Sequence, residues 1–124
     1  HSLGCLLVAH WASAARANDA AAPVAGAFLV AIPDSNSAAF PPEAASFADP
    51  PVATLPFPSL IVASTDDPYA SLDHAEMRAA QWGSGIVVAG ALGHINGKSG
   101  IGDWPQGMAL LRSFAAELQG SVRK

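Results

Sequence analysis

Charge, cysteine and long apolar runs are what this sequence has least of, and each shortage excludes something. Only 13% of its 124 residues are charged, and its Lys and Arg residues form no cluster. With a net charge of -4 and no basic stripe, neither nucleic acid nor an anionic membrane surface is an expected partner. The single cysteine, Cys5, allows no internal disulfide and asks for no oxidising compartment. No apolar run approaches the roughly 18 residues needed to span a bilayer. With no visible leader peptide, a cytoplasmic location is expected. Four histidines and one cysteine show no zinc-binding spacing, so no metal or other cofactor is expected.

Apolar residues are plentiful instead, at 51% of the chain. That is too apolar for a disordered polymer and suggests a sheet buried on two faces. The length suits one domain and can bury a useful core.

Leu3, Leu6, Leu7 and Trp11 recur at helical spacing, which predicts a helix over 3–16 beginning just after Ser2. Val24 to Ile32 is a short apolar run closed by Pro33, and its length and punctuation favour a buried strand. Residues 34–58 differ: six of the ten prolines lie between Pro41 and Pro58, interleaved with Phe47 and Phe57. Proline removes backbone donors, so this stretch is neither a regular helix nor a central strand. It reads as an irregular surface connection or as a lid or wall over a pocket. Ser59 to Ala63 then reads as a buried strand. Leu72, Ala75, Ala79 and Trp82 mark a helix with Ser71 as its cap and Gly83 as its stop. Gly85 to Ala89 is another strand, followed by a Gly-rich loop carrying His94. A last helix is signalled by Asp103 as cap and Pro105 in the first turn. Its buried face would use Met108, Leu111, Ala115 and Leu118, and Gly120 would end it.

Strands alternating with helices imply a three-layer α/β/α sandwich around a parallel sheet. Right-handed crossovers place the loops after the strands on one edge. Asp67 and His94 each follow a strand, and Ser2 precedes a helix. All three would meet at the carboxyl edge of the sheet.

The chemistry of such a meeting is specific. A serine hydroxyl is a weak nucleophile until a base takes its proton. The strand-to-helix turn Gly-x-Ser-x-Gly exposes that hydroxyl at a helix amino terminus. Here x-Ser-x-Gly stands as His1-Ser2-Leu3-Gly4, with the glycine keeping the turn uncrowded and the Leu3 amide available as an oxyanion donor. His94, between Gly93 and Gly97, would be the general base. The acid is Asp66 or Asp67, and Asp67 is favoured because Pro68 stiffens the turn beside it. His10 and His74 fall within predicted helices and read as solvated, and His1 has no required role. Each piece also has a plain alternative: a helix cap for Ser2, turn carboxylates, a solvated loop histidine.

Residues 1–5 (His-Ser-Leu-Gly-Cys), Ser64-Thr65-Asp66-Asp67-Pro68-Tyr69 and Gly93-His94-Ile95-Asn96 resemble a small α/β-hydrolase family. It is the family of the retinoblastoma-binding protein 9 serine hydrolase and the bacterial YdeN-like hydrolases. Pro56-Phe57-Pro58-Ser59 and Gly102-Asp103-Trp104-Pro105 are also similar to bacterial members. The resemblance implies a compact serine hydrolase with Ser2 as nucleophile, Asp67 as acid and His94 as base, acting on a small-molecule acyl substrate without a cofactor. Family members carry strands before the nucleophile and an early loop with a second oxyanion donor. This chain opens inside the motif without Met, so 1–124 reads as a partial α/β-hydrolase domain and as a poor catalyst alone. Losing one oxyanion donor costs roughly 10²–10³ in rate. A small carboxylic ester is the leading substrate class, with acyl transfer and a non-catalytic protein-binding module on the same scaffold as the other readings.

Overall fold

A computed structural model of the chain describes residues 1–18 and 23–122. Helix α1 (Leu3–Ala17) leads to strand β1 (Ala27–Val30). A 3₁₀ turn over Pro42–Phe47 interrupts the proline-rich segment, and β2 (Ser59–Ala63) follows. Next come α2 (Leu72–Trp82), β3 (Gly85–Val88), a 3₁₀ turn over Gly97–Ser99, and α3 (Pro105–Val122). The three strands form one parallel sheet in the order β1-β2-β3, with Leu29 opposite Ile61 and Ile61 opposite Ile86.

Successive strand side chains point to opposite faces, and the two cores sort accordingly. On one face Leu29, Ile61 and Ala63 pack with Leu6 and Ala9 of α1 and Ala79 and Trp82 of α2. On the other, Val30 and Val62 pack with Ile95, and Trp104 and Leu110 close over them. The fold is therefore a three-layer α/β/α arrangement, as the alternating pattern implies.

The helix faces differ from the periodicity reading in an instructive way. α1 buries Cys5, Leu6, Ala9 and Ala12, whereas Leu7 and Trp11 remain exposed. Among the described side chains of α3 the buried residues are Gly107 and Phe114, with Leu110 and Leu118 half-buried. Met108 and Leu111 are exposed, as is Ala115. Small residues take several of these positions, Ala9 and Ala12 in α1 and Gly107 in α3. At Gly107 a β-carbon would overlap the Trp104 indole, and at Gly26 it would meet the Leu118 side chain and the Pro58 carbonyl. The start of α3 also shifts. Trp104, at φ 48°, immediately precedes the first helical residue, Pro105, so Asp103 lies one residue too early to be the cap. α3 runs past Gly120 to Val122. A glycine costs a helix about 1 kcal/mol but does not forbid one. β1 is four residues long, shorter than the apolar run 24–32.

α2 agrees closely with the sequence reading. The Ser71 hydroxyl accepts from the His74 amide at 3.2 Å, and Gly83 closes the helix at φ 69°. Two of its polar side chains go inward, however. His74 and Arg78 are buried, so His74 is not the solvated histidine that its helical position suggested. Arg78 bonds Gln81 at 2.9 Å and lies over the Trp82 ring at 5.6 Å.

The proline-rich segment is held by donors from elsewhere. Its free carbonyls accept from three side chains: His10 to Phe47 at 3.2 Å, Arg16 to Thr54 at 3.0 Å, and the Trp82 indole to Pro51 at 2.9 Å. Phe57 is buried in the core and Phe40 packs against it.

Two outcomes follow from this packing. Gly107→Ala is expected to lower unfolding free energy by about 1–2 kcal/mol in urea, because displacing the indole outweighs the gain in helix propensity. Gly120→Ala, with open space around it, should instead stabilise by up to about 1 kcal/mol. Burial pushes the His74 imidazole below its ordinary pKa, with Asp34 opposing and Arg78 reinforcing the shift. The unfolded chain therefore takes up this proton first as pH falls. Stability from neutral His74 is complete above pH about 6.5 and is lost below it. The denaturation midpoint should fall between pH 7.5 and 5.5, and His74→Leu should flatten that fall.

Candidate active site

Ser2 sits at the junction between the chain's first residue and α1, with φ 56° and ψ -124°. For a non-glycine residue this backbone is strained by about 1–3 kcal/mol. It is held there by two hydrogen bonds: the Ser2 amide donates to the Val30 carbonyl at the end of β1, and the Ser2 carbonyl accepts from Cys5, both at 2.9 Å. The strain aims the hydroxyl outward at a helix amino terminus, as in a nucleophile elbow. Leu3 is the first residue of α1, so its amide has no acceptor one turn back and is free to bind an oxyanion. Gly4 differs from the expectation of a crowded turn. A β-carbon there would meet nothing within 4 Å, so in this structure crowding does not demand glycine.

Asp67 follows β2 and His94 follows β3, and their loops bring them to Ser2. His94 Nε2 lies 2.8 Å from Ser2 Oγ, and Nδ1 lies 3.0 Å from both carboxylate oxygens of Asp67. The ring is 9% exposed and the carboxylate 4%, so the pair is shielded from water. A buried carboxylate facing Nδ1 favours the tautomer with its hydrogen there, which leaves Nε2 to accept the Ser2 proton. Asp67 is itself oriented by the Tyr69 amide, which donates to Oδ1 at 2.9 Å.

The two adjacent aspartates divide the work. Asp66 does not reach the imidazole. Its Oδ1 takes the Ser64 hydroxyl at 2.9 Å and the Gly93 amide at 2.7 Å, and Ser64 Oγ takes the Leu92 amide at 2.9 Å. Thr65 adds a backbone bond to Gly90 at 2.9 Å. The end of β2 therefore clamps the loop just before His94. The Gly93 amide, followed by the Ser64 hydroxyl, holds the Asp66 carboxyl below its ordinary pKa. Just after His94, Ile95 takes φ 51°, and the Asn96 side chain caps the 3₁₀ turn by accepting from Lys98 at 3.1 Å. The Ser99 hydroxyl donates back to the Leu92 carbonyl at 2.6 Å.

His1 is the participant that sequence reasoning missed. Its Nε2 lies 2.9 Å from the His94 carbonyl, and the two rings sit 4.9 Å apart. It thereby ties the residue before Ser2 to the loop that carries His94. Its place in x-Ser-x-Gly carries no signal for this, because that position tolerates many residues. Tyr69 lies on His94 as well, at 4.5 Å between rings.

A recess of about 250 Å³ opens beside His94, walled in part by Pro68, Tyr69, Asn96 and Lys98. No residue of 34–58 is among those that line this recess. Phe57 and Trp104 belong to the cores. Cys5, buried beneath Ser2, has its thiol pKa raised by desolvation and is a poor nucleophile. Among the described residues no group of three or more His, Cys, Asp or Glu is placed to hold a metal ion. No described helix is long and apolar enough to cross a membrane.

No curated protein sequence matches the chain. Among solved structures it is similar to a YdeN-like hydrolase from Pectobacterium atrosepticum, at 30% identity and a TM-score of 0.76. That likeness covers 95% of this chain and 58% of the other, so the chain spans a little over half the length of its structural relative. The serine hydrolase family model matches residues 1–113, and its span takes in Ser2, the Asp66-Asp67 turn and the His94 loop. On this match over most of its length, together with the α/β architecture, the chain belongs to the serine hydrolase family.

Proposed function

We propose that the protein hydrolyses small carboxylic esters or related acyl compounds through Ser2, His94 and Asp67. The observation that carries this reading is the unbroken hydrogen-bonded line from Ser2 Oγ through His94 to Asp67, ending on a strained serine at a helix amino terminus. Ser2 Oγ attacks the acyl carbon as its proton passes to His94 Nε2. The carbonyl oxygen becomes an oxyanion and is met by the Leu3 amide. Asp67 stabilises the imidazolium without taking its proton. Collapse of the tetrahedral adduct breaks the bond to the leaving oxygen, which receives the proton from Nε2. Water then attacks the acyl-enzyme with His94 again as base, releasing the acid and restoring Ser2.

Coupling between His1 and His94 fits this chemistry as positioning. A displacement of about 1 Å in a reacting group can cost of order 10²-fold in rate. A hydrogen bond from the elbow to the His94 carbonyl restrains the distance on which proton transfer depends.

A fluorophosphonate probe tests the reading. The native protein should label covalently, Ser2→Ala should abolish labelling, and turnover of a simple ester should fall roughly 10⁴-fold or more. Absence of labelling, or labelling that persists in Ser2→Ala, would favour a binding module on this scaffold instead. His1→Ala should lower kcat roughly tenfold with little change in melting temperature. His1→Gln, whose amide nitrogen can stand near the position of Nε2, should recover most of that loss, whereas His1→Asn should not. Equal kcat in all three variants would remove His1 from the positioning role.

A further inference from the structure

The recess beside His94 carries a charge that the chemistry above leaves unused. Lys98 is the one Lys or Arg among its lining residues, in a chain whose net charge is -4. The neighbouring carboxylates are already engaged. Asp66 is bonded to Ser64 and Gly93, and Asp67 faces His94. Among the described residues Lys98 makes no ion pair. Its backbone is nevertheless fixed. The Lys98 amide is held by Asn96, Asn96 N bonds Ser99 Oγ at 3.0 Å, and Ser99 is anchored to Leu92. Lys98 thus stands on a hydrogen-bonded turn that lines the recess.

The position of this recess tells which part of a substrate would occupy it. The proton that His94 Nε2 releases goes to the leaving oxygen, so the departing group lies on the imidazole side of Ser2. His94 is one of the residues that line the recess. We propose that the recess receives the leaving group and that Lys98 selects substrates whose leaving group carries an anion, a carboxylate or a phosphate. This assignment rests on the hydrolase reading. A partly exposed cation contributes modestly and through screened attraction, so the selection should be felt chiefly in KM.

Matched esters test it. Phenyl acetate is neutral. 3-Acetoxybenzoate and 3-acetoxyphenyl phosphate place an anion on the leaving group, and monophenyl succinate places it on the acyl side. Hydrolysis of the second consumes one water and yields acetate and 3-hydroxybenzoate. The native protein should prefer the two leaving-group anions, and that preference should shrink as salt is raised from 50 to 500 mM, where screening sharpens. Lys98→Ala should lower kcat/KM for them about fivefold and Lys98→Glu about twentyfold. Lys98→Arg should retain the preference. Phenyl acetate and monophenyl succinate should change less than about twofold in each variant. Preserved phenyl acetate turnover with no Lys98-dependent preference overturns the anionic subsite alone. Lack of Ser2-dependent turnover of every ester overturns the hydrolase reading and the subsite with it. Lys98 is exposed, so its variants should melt with the native protein and their kinetics can be compared directly.

Discussion

Ile61 and Val62 are neighbours in the chain, point to opposite faces of β2 and are both completely buried. Everything else is arranged around that constraint. Full burial on two faces goes with a helix layer on each, and the backbone groups of β2 are satisfied by β1 on one side and β3 on the other, both parallel to it. Each apolar side chain of this size contributes roughly 1.5–3 kcal/mol on burial. Their joint burial also pins the register, because a slip of one residue would exchange the two faces. From the end of this fixed strand come Ser64, Asp66 and Asp67. One rigid element therefore orients the imidazole and anchors the loop that bears it.

Polar groups at the site are satisfied locally, and this suits a geometry that must hold to tenths of an ångström. Ser64 and Asp66 receive the amides of Leu92 and Gly93, and Asn96 and Ser99 cap the turn beyond. His94 lies between two such fastenings. Two residues with left-handed backbone at the site are over-determined by these bonds: Ser2 between Val30 and Cys5, and Ile95 between His94 and the capped turn. Strained backbone persists where its surroundings leave no alternative.

The same accounting explains the proline-rich segment. Prolines withdraw donors, so this stretch offers carbonyls that its own backbone cannot satisfy. α1 and α2 supply the donors as side chains: His10, Arg16 and the Trp82 indole. A segment without regular structure is thus integrated into the core. It contributes Phe57 to that core.

Element type and order were determined by the sequence itself. Period, proline and glycine punctuation and the Ser71 cap act over a few residues and are legible without tertiary context, which is why β2 and α2 were placed correctly. The order Ser, Asp, His, with two members after strands, likewise placed all three on one edge. Helix faces were decided only by packing. Periodicity selects the largest apolar stripe, whereas packing buried Ala9 and Ala12 of α1 and set Gly107 against the Trp104 indole, leaving Leu7, Trp11 and Met108 outside. The contact of His1 with His94 and the burial of His74 and Arg78 were likewise tertiary decisions. Each depends on groups distant along the chain meeting at hydrogen-bond range, and no local pattern encodes such distances.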